Sequence, residues 1–191
     1  KYDDIYYKAI SQDETSPISW GENTYRVQNF NGSKILDVDR MLFMEIDNNR
    51  KPLLGDFHSS PIPVYIQRAK EIIEQFSLKG NQLFPITITH KDSKFENYFI
   101  LHCHHKIKAM HHERSDFTKS RSGRNYFIDT LSLDENVLDE IPEEERMIFV
   151  LKEKAAMILY HENIVKALEA AEITGVRFVK VKDWNVGSAF D

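Results

Sequence analysis

Apolar positions fall at helical spacing in two places along the chain and alternate in several others. Ile66, Ala69, Ile72, Ile73 and Phe76 occupy one helical face and predict a helix over about Tyr65 to Leu78. Gly80 stands where such a helix stops. Phe84, Ile86 and Ile88 then alternate, with Pro85 near the strand start, where a missing N–H matters least. The polar run His90 to Lys94 predicts a turn and Tyr98 to His105 a returning strand, so 84–88 and 98–105 form an antiparallel pair. Ile164, Val165, Leu168 and Ala171 predict a second helix over about Glu162 to Glu172, closed by Gly175 and followed by a strand from Val176 to Val181.

The other segments read as short strands and loops. The first 30 residues hold Tyr2, Tyr6, Tyr7, Trp20, Tyr25 and Phe30 and predict short strands or irregular cover. Residues 33–39 and Met41 to Ile46 predict strands, and Asn48, Asn49, Pro52 and Gly55 a loop. Arg114 to Asn125 reads as a mobile polar loop, Phe127 to Leu133 as a strand, and Met147 to Leu151 as a short buried strand. The tail from Asp183 has no regular period. Strands outnumber helices, which predicts an α+β fold: an antiparallel or mixed sheet with two main helices packed on it. The expected organisation is a single domain over 1–191, with a β-rich part at 1–60 and a core at 61–182.

Composition narrows the function classes. An apolar share of 41% over 191 residues supports one ordinary core. No apolar run approaches the roughly 20 residues of a membrane span, and no charged-then-apolar leader opens the residues given. The single Cys103 cannot form an internal disulfide, which fits a reducing, cytoplasmic setting. A net charge of −5 argues against a nucleic-acid partner, because phosphate affinity is built from excess Lys and Arg. It suits a basic partner instead.

Three stretches carry candidate chemistry. Residues 102–113 hold five of the eight histidines, with Cys103 and Glu113. A divalent-metal enzyme would draw its ligands from His102, His104, His111 and His112, since imidazole is a ligand of zinc and related ions. The spacing matches no finger or HExxH pattern, so the favoured expectation is a surface strand with titratable residues on its wet face. On that strand His102 and His104 share one face, Cys103 and His105 the other, and Cys103 is a small buried thiol. Lys119, Arg121 and Arg124, with Gly123 among them, form a basic loop without P-loop spacing. From Asp134 to Glu145 there are seven carboxylates, Asp134, Glu135, Asp139, Glu140, Glu143, Glu144 and Glu145, and no Lys or Arg. Fixed negative charge of this kind steers a basic partner, such as a toxin or nuclease with a positive groove. No GxSxG elbow and no GxGxxG loop is present.

A run of short motifs carries a resemblance. Leu83 to Ile88 forms a Phe-Pro-apolar strand after a helix. Tyr98 to His102 follows, then Leu131 to Asp134, then Ile148 to Val150, and a helix ending in Thr174 to Phe178. In this order, the stretch from Pro61 to Val181 resembles the immunity-eleven-like family of bacterial immunity proteins from polymorphic toxin systems. That resemblance implies a non-catalytic, cytoplasmic protein without cofactor. It would bind a cognate toxin domain and neutralise it by occlusion; the charge pattern separately makes the seven carboxylates the expected contact.

Overall fold

The computed structural model describes residues 1–12, 15–21, 30, 32–38, 41–46, 51–59, 62–77, 79–121 and 126–190. In chain order its strands are β1 Tyr6–Ser11, β2 Ser19–Trp20, β3 Leu42–Glu45, β4 Phe57–His58, β5 Val64–Ile66, β6 Asn81–His90 and β7 Ser93–Cys103. They continue as β8 Lys106–Ile107, β9 Asp116–Lys119, β10 Tyr126–Thr130, β11 Ile148–Leu151, β12 Ile158–His161 and β13 Val176–Lys180. The helices among the described residues are α1 Gln67–Ile73, α2 Glu135–Asp139 and α3 Glu162–Ala170.

These strands form three sheets rather than one. A six-stranded sheet runs β2-β3-β6-β7-β5-β4, a five-stranded sheet runs β13-β1-β12-β11-β8, and β9 and β10 form a hairpin. The expected α+β arrangement, with two main helices on a single sheet, is therefore corrected: the fold is sheet-rich, and its longest described helix has nine residues. Two misreadings explain the difference. The helix expected from Tyr65 begins only at Gln67, because Val64–Ile66 pair antiparallel with β7 as β5. The long-range pairing of β1 with β12 and β13 joins residues about 150 to 170 positions apart, and local periodicity carries no signal of it.

Other expectations hold. β6 and β7 form the antiparallel pair read from 84–88 and 98–105, and α3 lies where the second stripe placed a helix. Gly80 and Gly175 sit at φ +79° and +87°, the left-handed region open to glycine. Gly175 also abuts Gly55 so closely that a Cβ on either would meet backbone. No strand forms over the described part of 33–39. Both main-chain groups of Leu36 bond the side-chain amide of Gln82, at 2.8 and 3.0 Å, in place of a neighbouring strand. Tyr25, Asp39, Asn48, Asn49, Pro61, Leu78, Gly123, Arg124 and Asn125 lie outside the described residues.

The two large sheets share a central core. Ile148 and Val150 of β11, Tyr160 of β12, Leu101 and Cys103 of β7 and Tyr65 of β5 meet there, with α1 and α3 packed against one another beside them. The Tyr65 and Tyr160 hydroxyls lie 2.8 Å apart inside it. β11 is buried on both faces. Its Phe149 and Leu151 point the other way, into a second core roofed by Ile128, Leu133 and Leu138. A third core covers the far face of the six-stranded sheet, where Leu42, Met44, Ile86, Ile88 and Ile100 meet Ile18, Phe30 and Ile62.

Candidate partner-binding surface

The acidic stretch is not a featureless turn. Asp134 caps α2 by accepting the Asn136 N–H at 3.0 Å, and Glu143–Glu145 form a 3-10 turn. Leu138 and Arg146 anchor it from beneath, with Leu138 fully buried and Arg146 8% exposed. The Arg146 guanidinium lies 4.9 Å from the centre of the Tyr2 ring. Its Nη1 donates to the Tyr6 hydroxyl at 2.9 Å and its Nε to the Ile141 carbonyl at 2.8 Å. Burial works most strongly against its charge, but the Tyr6 hydroxyl, Tyr2 and the Glu143 carboxylate together outweigh it and raise its pKa.

The seven carboxylates divide by partner. Asp139 accepts from the Tyr2 hydroxyl and from Lys1 Nζ, each at 2.5 Å, and these bonds hold its pKa down. Glu135 accepts from the Lys1 main-chain nitrogen at 2.7 Å, and Glu145 pairs with Lys79. Glu143 has a long contact of 3.4 Å from the Asn163 amide. Glu140, Glu143 and Glu144 are exposed, and none forms an ion pair among the described residues. Beside Glu143 stands His161, 3% exposed, whose Nδ1 accepts the Asn163 N–H at 3.2 Å and so caps α3. Burial pushes its pKa down, and the Glu143 carboxylate partly offsets this.

The histidine segment folds differently from its expected form. β7 ends at Cys103, and the His104 and His105 N–H groups both donate to the Gly80 carbonyl, at 3.0 and 3.1 Å. His102 is not on a wet face but fully buried. Its Nδ1 lies 2.8 Å from the Phe30 carbonyl oxygen and its Nε2 2.8 Å from that of Lys34. The physical reason is that Phe30 and segment 32–38 cover this face of β6 and β7 and bring main-chain carbonyls to both ring nitrogens. His104 lies with its ring 5.6 Å from that of His102, while the His112 ring packs edge-on against Phe117 and Tyr126. His111 Nδ1 is buried without a partner. Among the described residues no group of three or more His, Cys, Asp or Glu side chains is placed to hold a metal ion. Cys103 is buried as expected, and burial pushes its thiol up to about 12, far from a nucleophile. In the basic loop, Lys119 lies over the Tyr126 ring at 5.2 Å and Arg121 is exposed.

Sequence reasoning passed over the residues that shape the acidic surface. Arg146 is the first cation after seven carboxylates, a signal that was present in the chain. Tyr2, Tyr6 and Asn163 reach it only through long-range pairing and left no local trace.

No helix among the described residues is long and apolar enough to cross a membrane. No curated protein matches the chain. A family model described as the Immunity protein family (Imm11) matches residues 12–183, and so extends the resemblance read from 61–181 into the N-terminal part. With all but the two ends of its 191 residues matched, the chain belongs to the Immunity protein family (Imm11).

Proposed function

We propose that this immunity protein acts in the cytoplasm by binding a cognate toxin domain and covering it, with no catalysis of its own. The acidic surface is the proposed contact, and its working residues are Glu140, Glu143 and Glu144. The observation that carries this reading is that none of the three closes an ion pair among the described residues, while Asp139 and Glu145 do. Unpaired carboxylates on a shaped surface attract a basic surface at long range and fix its register on contact. The partner chemistry that fits is a positively charged groove on the toxin.

The test uses the product of the adjacent gene. Coexpression with this chain should rescue growth, and the two should co-purify. The triple variant Glu140→Lys, Glu143→Lys, Glu144→Lys should lose both while its melting temperature stays within about 2 °C. Full rescue by the triple variant would remove the acidic surface from the interface.

A further inference from the structure

We infer that Arg146 is a positioning residue for the acidic surface: it holds Glu140, Glu143 and Glu144 in the arrangement that the partner meets, without touching the partner. The inference rests on the reading of that surface as the contact. A guanidinium on a residue only 8% exposed loses part of its hydration and needs acceptors or a carboxylate in return. No carboxylate closes an ion pair with Arg146 among the described residues. What it does hold is the chain itself. Its Nε bonds the Ile141 carbonyl, one residue after Glu140 and two before Glu143. Its own N–H bonds the Glu143 carbonyl at 3.0 Å, and its own carbonyl accepts the Tyr6 hydroxyl at 3.1 Å. Segment 141–146 is thus closed on itself by one residue, which is in turn fixed to β1.

The charge has a second effect. Asp139 and Glu143 both feel the guanidinium, so a fixed positive charge sits beneath carboxylates that repel one another. The surface is thereby formed before the partner arrives, and docking needs little ordering of it. An uncharged side chain of similar volume would fill the space but would hold neither the carbonyl of Ile141 nor the charges above it.

Hydrogen exchange on the free protein separates this role from a general structural one. In Arg146→Met, amides of 140–146 should exchange at least about tenfold faster, while β11 and β12 keep their protection. Dissociation from the adjacent-gene toxin domain should quicken by about tenfold with every carboxylate intact. Arg146→Lys should restore part of both, through charge without the bidentate reach. Tyr6→Phe keeps the ring, removes the Nη1 acceptor and should act in the same direction more weakly. Unchanged protection of 140–146 in both Arg146→Met and Tyr6→Phe overturns the inference. So does a loss that spreads equally through β11 and β12. Loosening of 140–146 with unaltered toxin dissociation shows instead that the acidic surface is not the contact, and removes the reading on which the inference rests.

Discussion

The histidines at 102–112 and the carboxylates at 134–145 are the two densest titratable stretches of the chain, and the fold treats them in opposite ways. His102 is fully buried with a backbone carbonyl at each ring nitrogen. Glu140 and Glu144 are exposed and close no ion pair among the described residues. An imidazole can enter a core because its ring is largely apolar and carries only two polar atoms, which the backbone can meet. A row of carboxylates cannot, because each buried charge would need its own cation. Side-chain chemistry alone does not mark a working surface. On the reading proposed above, the mark is charge that closes no ion pair among the described residues.

The largest test of this contrast is His102→Ala. It removes the ring contacts with the Phe30 and Lys34 carbonyls and leaves a hole under Phe30 and His104. A loss of about 2–4 kcal/mol is expected in denaturant unfolding. Toxin binding by the molecules that remain folded should not change. A binding defect larger than the unfolded fraction explains would move the histidine segment into the interface. Next in size is the neutralising triple Glu140→Gln, Glu143→Gln, Glu144→Gln. Stability should move by less than about 0.5 kcal/mol. The association rate with the toxin should fall by about tenfold in low salt, and the difference should shrink as salt rises. A salt-independent defect would mean that the carboxylates act by shape and not by charge.

Much of this contrast was out of reach of the sequence, for reasons that particular residues show. Strands such as 84–88 were legible because one face of each is apolar over several residues. The helix at 162–170 was legible from a clean stripe and a glycine stop. Tyr65 was misread because a helical spacing began inside a strand, where pairing with Phe99 decided the matter. His102 was misread because its burial depends on a covering segment about 70 residues earlier. The acidic stretch was legible as charge, yet the division into paired and unpaired carboxylates depends on Lys1, Tyr2 and Lys79, which no spacing rule connects to it.

Glu153 is the carboxylate that crosses the line. It is 8% exposed, and neither oxygen has a hydrogen-bond partner. Burial raises its pKa, while the N–H groups of Glu153 and Met110 and the charges of His112 and Lys108 pull the other way without completing a bond. With the folded pKa above the unfolded one, the folded state keeps its proton longer. Stability is then full below the ordinary carboxylate range and is lost as pH rises through the folded pKa. Glu153→Gln should therefore stabilise by about 1 kcal/mol at pH 8 and by nothing measurable at pH 4. An equal gain at both pH values would point to packing and not to the buried charge.

The smallest expected effect lies where the two kinds of residue meet, at His161 beside Glu143. Its pKa is lowered, mainly by burial, so the folded state resists protonation of this ring. The sign is opposite to that of Glu153: its contribution is present above the unfolded pKa and is lost as pH falls through the folded one. His161→Asn keeps an acceptor for the Asn163 N–H, so at pH 7.5 stability should change by only a few tenths of a kcal/mol. Between pH 7 and 5, however, the variant should lose less stability than the parent. Toxin binding adds a further sign. A cation of the partner placed on Glu143 takes away the neighbouring charge that most favours the charged ring, so binding and protonation of His161 oppose each other. The parent complex should then weaken on acidification more than the His161→Asn complex does. Parallel pH profiles for the two would place the partner's charge away from Glu143.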